Sequence, residues 1–226
     1  SGHDTGSEEQ ESGKEEKEER KPGEKKPEGE KPPKDNPTDN ARLDKELEKN
    51  LLVFKRIFGG SGDVIVREIA FGPDDEKKGA IIFIDGLVSS SQITEGILKP
   101  VLVYLKQSKH ERIEDTIEEV RSSVICSGEI SASRYYCELV KGCADGDTVF
   151  LFDGFEQGLK INTKGWDKRG VTEPKSETVV RGPREGFNES IRTNTALIRR
   201  RIKTPQLRMD HMVIGRQTKT SVCVAY

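Results

Sequence analysis

The chain has 226 residues, of which 38 are Lys or Arg and 40 are Asp or Glu, giving a formal net charge of −2 and a mean hydropathy of −0.71. No run approaches the roughly 18 apolar residues of a membrane-spanning helix and no signal-peptide pattern opens the chain, so it reads as soluble. The near-balance of charge excludes a uniformly basic nucleic-acid binder, yet it averages regions of opposite sign: residues 1–40 carry eight basic and thirteen acidic side chains, whereas residues 181–219 carry ten and three.

Residues 1–40 contain no Val, Ile, Leu, Phe, Trp or Tyr. With no apolar surface to offset the entropy of ordering, this segment is expected to be a disordered, solvated tail. Its opening Ser1-Gly2-His3 has the look of an expression scar. The remainder is long enough for one good core or two small ones. Cys126, Cys137, Cys143 and Cys223 lack CxxC spacing, so no structural zinc site is expected, and they read as small buried hydrophobes in a reducing compartment.

In chain order, Asp39 or Asn40 is placed to cap a helix running to about Phe58, with Leu43, Leu47, Leu51, Phe54 and Phe58 on one face. Gly59-Gly60-Ser61-Gly62 ends it; the cluster lacks the GxxxxGK[ST] pattern and follows a helix, so it reads as a terminator and not a phosphate loop. Asp63 to Phe71 is a strand, with Val64, Val66 and Ile69 expected on one side. After a turn at Gly72–Asp75, Ala80 to Ile84 is a continuous apolar run closed by Asp85-Gly86, the mark of a strand buried on both faces. Ser89 to Ser91 caps a helix with Ile93, Ile97, Val101 and Tyr104 on one side and Pro100 as an expected kink. Glu111 to Val120 reads as helix, Ser122 to Cys126 as a short strand, and Ser131 or Ser133 as the start of a helix ended by Gly142.

Val149 to Phe152 repeats the earlier form, four apolar residues closed by Asp153-Gly154, and Leu159 to Asn162 pairs back on it as a hairpin. Lys164 to Ser176 is a loop around Trp166. Val179 to Ile202 is the most specific stretch: a short strand, a Gly182-Pro183 turn carrying Arg181, Arg184 and Glu185, then a helix from Phe187 to Arg199-Arg200-Arg201. Helical spacing puts Phe187, Ile191, Ile198 and Ile202 on one face and Arg192 with Arg199 on another. Pro205 ends the helix, and Leu207 to Ile214 and Thr220 to Ala225 are two further strands.

Enzyme chemistry finds little support. His3, His110 and His211 have no metal-ligand spacing, and no GxSxG elbow is present. Asp85 and Asp153 end strands, where α/β proteins often place ligands, although Asp-Gly is also simply a good turn. The arginines allow three readings. Arg181, Arg184 and the turn amides could hold an anion; the basic block could meet nucleic acid, although no aromatic residues are interleaved with it; or the arginines are structural, with Arg199 to Arg201 complementing the helix dipole. Composition favours the third. Asn188-Glu189-Ser190 matches a glycosylation acceptor with nothing to indicate secretion.

Together these residues resemble the N-terminal hydrophilic domain of the A subunit of GerA-type spore germinant receptors of Bacillus and its relatives. The resemblance is carried by Asp63-Val64-Ile65-Val66-Arg67, Ile84-Asp85-Gly86-Leu87-Val88, Ile97-Leu98-Lys99-Pro100, Gly146-Asp147-Thr148-Val149, Asp153-Gly154 and Thr163-Lys164-Gly165-Trp166. It continues through the run from Val180 to Phe187, Ile191-Arg192-Thr193-Asn194, Leu197 to Arg201 and Gly215 to Thr220. It spans nearly everything from about residue 43 onward. The resemblance implies an α/β fold of two small subdomains, with mixed sheets flanked by helices and preceded by the tail. The expected divisions are 1–40, a first subdomain 41–176, and 177–226 as the start of a truncated second. It implies a non-enzymatic receptor module that needs no cofactor, works with B and C subunits in the spore inner membrane, and joins the membrane through a region following this chain. A nutrient is the implied stimulus and nucleic acid is not an expected partner. Asp85, Arg181, Arg184, Glu185, Arg192 and Asn194 are the candidates for ligand or interface contacts. Direct nutrient binding by this domain, or anion and lipid-headgroup binding through Arg192 and Arg199 to Arg201, are the alternatives.

Overall fold

A computed structural model describes residues 41–72, 75–105, 112–125, 128–165 and 186–226. The expected tail, the boundary at 176–177, and Cys126, His110 and Trp166 lie outside the described residues.

Among the described residues the molecule is built on a five-stranded sheet in the order β1-β2-β4-β5-β3, made of β1 (Val64–Phe71), β2 (Lys77–Ile84), β3 (Ile130–Ser133), β4 (Thr148–Phe152) and β5 (Gly158–Ile161). Every pairing among these strands is antiparallel. The fold is α/β as expected, and the apolar run Ala80 to Ile84 is indeed a strand covered on both faces. The cause is helices packed on both sides, not the parallel pairing that such runs usually accompany. Side-chain alternation divides β2 and β4 between two cores. Ala80, Ile82, Ile84, Val149 and Leu151 face α1 (Leu47–Ile57) and α5 (Tyr136–Asp145). Ile81, Phe150 and Phe152 face the helical segment from α2 (Ser90–Ile93) through α3 (Lys99–Leu105) to α4 (Ile113–Glu119).

Several local expectations are corrected. Val64 and Val66 pack in the first core but Ile69 packs in the second, because a three-residue offset along a strand crosses the sheet. Helix α1 starts at Leu47, not near Asn40. Its first turn is capped from afar: the Leu47 N–H donates to Asp153 Oδ1 at 2.9 Å. The preceding residues bridge instead to the start of α5, with Arg42 opposite Tyr135. In the helix after Ser89, Ile93, Ile97 and Val101 are buried as the spacing predicts, whereas Tyr104 is exposed and donates to Glu119. A π-helical turn, Thr94–Leu98, precedes Pro100 and accommodates the missing proline N–H without a break.

The segment read as a strand from Ser122 forms a second π turn, Val120–Val124, and the segment expected to open a helix at Ser131 forms β3. Helix α5 ends at a left-handed Gly146, with Gly142 inside it against the Lys160 stem. The β4–β5 hairpin is as predicted.

The C-terminal elements are α6 (Ile191–Arg201) and a two-stranded antiparallel sheet of β6 (Met209–Ile214) and β7 (Thr220–Ala225). Helix α6 begins at Ser190, whose hydroxyl accepts from the Thr193 N–H, so Phe187 lies before it and is 69% exposed. The expected apolar face of α6 is also corrected. Ile202 is exposed, and the helix buries Thr195, Ala196, Leu197 and Arg199. A charged residue occupies the buried stripe because its charge is met there.

Candidate functional site

The β1–β2 register pairs Val64 with Ile84. One step further out, Asp63 and Asp85 stand opposite each other at the open end of the hairpin, and the Asp85 N–H donates to the Asp63 carbonyl at 2.8 Å. Two carboxylates are thus set side by side. Helix α6 crosses this end with Arg192 and Arg199. They are seven residues apart, which returns the helix to within about 20° of the same face. Each guanidinium takes one carboxylate.

The inner pair is buried, with Arg199 and Asp63 side chains only 2% and 3% exposed. Arg199 Nε donates to Asp63 Oδ2 at 2.7 Å and Nη2 to Oδ1 at 2.8 Å. Nη1 donates to the Thr204 carbonyl at 3.1 Å, and the two Nη2 protons are shared among Asp63 Oδ1, the Leu207 carbonyl at 2.9 Å and Ser61 Oγ at 2.9 Å. Ser61 also donates to Asp63 at 2.6 Å and accepts from the Met209 N–H at 2.9 Å. This is a fully connected polar network, which is the condition under which a buried ion pair is tolerated.

The outer pair, Arg192 with Asp85, is bidentate: Nε to Oδ2 at 2.9 Å and Nη2 to Oδ1 at 2.8 Å. It is also open to solvent, at 55% and 40% side-chain exposure. The hydrogen bond from Arg192 holds the Asp85 carboxyl below the usual carboxylate range, against the opposing effect of partial burial, and the reciprocal bond raises Arg192. Gly86 completes the seat. It sits at φ +82°, and a Cβ there would lie 2.9 Å from the Ala196 Cβ.

The same end of the sheet receives β6. The Gly62 N–H donates to the Met209 carbonyl at 2.8 Å. Arg208 lies across the end of α1, with Nη2 to the Ile57 carbonyl at 3.3 Å, and a Cβ on Gly59 would fall 1.9 Å from Arg208 Nε. The glycine cluster that reads as a helix terminator therefore also admits an arginine and a strand to within contact distance. Between α6, the strand ends and the β6–β7 hairpin lies a cleft of about 260 Å³, lined in part by Asp63, Ile65, Asp85, Arg192, His211 and Ser221.

Of the six candidates from sequence, the structure brings Asp85 and Arg192 together. Asn194 turns back instead on its own entry loop: its side chain donates to the Asn188 carbonyl at 2.7 Å and accepts from the Asn188 N–H at 2.8 Å. Arg181, Arg184 and Glu185 lie outside the described residues. Sequence reasoning missed Asp63, Ser61 and Arg208. A signal for Asp63 existed, since it precedes one strand and Asp85 follows its partner, so an antiparallel hairpin sets them opposite each other. Arg199 lies in the last turn of α6 with Arg200 and Arg201, but its guanidinium is also claimed from across the fold by Asp63.

Comparison with known proteins agrees with this architecture. Residues 53–226 match the family model described as "Bacillus/Clostridium GerA spore germination protein". The chain is 37% identical over 180 residues to the "Uncharacterized membrane protein YfkQ" of Bacillus subtilis, covering 80% of this chain and 34% of that protein. It is 34% identical over 182 residues to "Spore germination protein KA" of the same organism, covering 80% and 32%. It thus spans about a third of the length of these relatives. Among solved structures, it superposes on the N-terminal domain of the A subunit of the Bacillus megaterium spore germinant receptor GerK3 with a TM-score of 0.63 and 28% identity, covering 82% of this chain and 66% of that one. By sequence and fold, the chain belongs to the Bacillus/Clostridium GerA spore germination protein family.

Proposed function

We propose that this chain is a module of the A subunit of a nutrient germinant receptor, and that it relays state changes between subunits and contributes to their assembly without catalysing a reaction. The observation that carries this reading is the pair of Arg–Asp contacts on α6. The inner one is buried and fully satisfied, so it acts as a fixed pivot. The outer one is exposed and worth only about 0.2–1 kcal/mol after solvent screening, so a partner or ligand can open it at small cost. Motion at Arg192 would then be transmitted along α6 to the β6–β7 sheet, which hangs on the pivot through Ser61 and Met209. Exposed Val213, Ile214, Val224 and Tyr226 on that sheet support residues 177–226 as the beginning of a second structural unit.

On this reading the partners are the B and C subunits, the setting is the spore inner membrane, and nutrient recognition starts the motion. Among the described residues no helix is long and apolar enough to cross a membrane. The test is charge reversal in the full-length subunit. Arg192→Asp should slow nutrient-triggered germination, and adding Asp85→Arg should restore it. Normal germination in the single variant, or no rescue in the double, rejects the relay.

A second reading has its own observation, the cleft beside Asp85 and Arg192. At about 260 Å³ it is smaller than a drug-sized pocket and matches a small metabolite at most. Titration with candidate nutrients followed by NMR distinguishes the readings, since unchanged resonances of cleft residues at millimolar nutrient exclude direct binding here. Of the four arginines in the headgroup alternative, Arg192 and Arg199 are engaged by carboxylates.

A further inference from the structure

The β6–β7 register places His211 directly opposite Cys223, and Met209, two residues before His211, emerges on the same face of the hairpin. These three side chains converge. Cys223 Sγ lies 3.9 Å from His211 Nε2 and 4.0 Å from Met209 Sδ. Met209 is wholly buried, Cys223 is intermediate and His211 is exposed, so the cluster runs from the interior to the surface.

The separations are informative. Sulfur and nitrogen donors bound at about 2.0–2.3 Å and opened by about 110–120° around one metal stand about 3.6–4.0 Å apart. The donor set is also selective. A thioether is a poor ligand for zinc, calcium or magnesium, whereas thioether, thiolate and imidazole together suit a soft monovalent ion. Among the described residues no group of three His, Cys, Asp or Glu side chains is arranged to hold a metal, so a site here depends on the methionine.

We propose that Met209, His211 and Cys223 form a three-coordinate site for a soft monovalent metal ion of the copper(I) class. Binding replaces the Cys223 S–H bond with an S–metal bond and releases the proton to solvent, and His211 contributes the Nε2 lone pair while its proton resides on Nδ1. Oxidation states do not change. Because the Met209 N–H is bonded to Ser61 of the Arg199–Asp63 network, an ion here would brace the hairpin against the pivot.

The probe is silver(I), an air-stable ion of the same class, titrated into the purified 226-residue chain carrying Cys126→Ser and Cys137→Ser, which leaves Cys223 and the buried Cys143 as its thiols. The expected result is one-to-one binding with shifts of the Met209 ε-methyl and the His211 ring resonances. Met209→Leu and His211→Gln should each weaken binding by at least roughly tenfold. Copper(I) presented under anaerobic conditions against a competing chelator should reproduce the order of affinities. If Met209→Leu and His211→Gln bind silver as tightly as the parent, only the thiol is a ligand and the site is refuted. Absence of a Met209 methyl shift refutes it equally, and because both variants leave Cys223 in place, neither outcome depends on losing the fold.

Discussion

Arg199 is the residue on which the arrangement of α6 is most sharply testable. Arg199→Ala removes five hydrogen bonds of 2.7 to 3.1 Å, two of them to Asp63 and the others to Ser61 and the carbonyls of Thr204 and Leu207. It also leaves Asp63 buried, at 3% side-chain exposure, with the Ser61 hydroxyl as its one remaining side-chain donor among the described residues. Breaking a buried pair by deleting one partner costs about 3–5 kcal/mol, most of it from the uncompensated charge. Against a typical domain stability of about 5–15 kcal/mol, that removes a large share. The assay is urea unfolding of Arg199→Ala beside Arg199→Ala/Asp63→Ala. The single variant should lose about 3–5 kcal/mol and the double should recover part of it, since the stranded carboxylate is gone. Amide exchange should also rise across β6, whose first N–H leans on Ser61. A loss below about 1 kcal/mol, the range of exposed pairs, would refute the claim that this pair is the structural pivot.

The outer pair should behave oppositely, with Arg192→Ala costing less than about 1 kcal/mol in the same unfolding assay. Because the folded Asp85 carboxyl is held below its ordinary value of about 3.9, its contribution is present above that pH and is lost as acid carries the pH down through the folded value. A stability difference between parent and Arg192→Ala that vanishes in strong acid and is constant near neutrality is therefore expected. Gly86→Ala should destabilise by about 1–3 kcal/mol, because it places a Cβ 2.9 Å from Ala196 at φ +82°, and thermal unfolding measures it. Asn194→Ala should cost about 1 kcal/mol per lost bond to Asn188 while leaving the Arg192–Asp85 contact intact, which NMR of the Arg192 side chain would report. Cys143, buried and bonded to the Ile82 carbonyl, has its thiol pushed far up by burial, so alkylation should await global unfolding while Cys223 reacts in the native protein.

Much of the architecture was legible from local pattern. Uninterrupted apolar runs mark β2 and β4, Asp-Gly punctuation marks their ends, and the strands read at Asp63–Phe71 and Leu159–Asn162 follow from turn residues beside β-branched runs. Helix starts at Asn40 and Ser131 were placed by local capping chemistry, but the caps that operate come from elsewhere, as when Asp153 takes the Leu47 amide across the fold. In α6 apolar spacing does not mark the buried face. Ile202 is left outside and Arg199 is taken in, since a carboxylate awaits it.

What the sequence determined by itself was the periodic content: which runs alternate, which are apolar throughout, where the chain turns, and the heptad spacing of Arg192 and Arg199. Those properties depend only on neighbours along the chain. What tertiary structure alone decided was partnership. Asp63 and Asp85 become a matched pair only when the hairpin register sets them opposite each other. Arg199 becomes a core residue only when that pair is presented to α6. Met209, His211 and Cys223 meet only when β6 and β7 align. Charge and hydrogen-bonding groups act at a few ångströms in space, and the separations of 107 and 136 positions between Asp85 and Arg192 and between Asp63 and Arg199 leave no periodic trace in the chain.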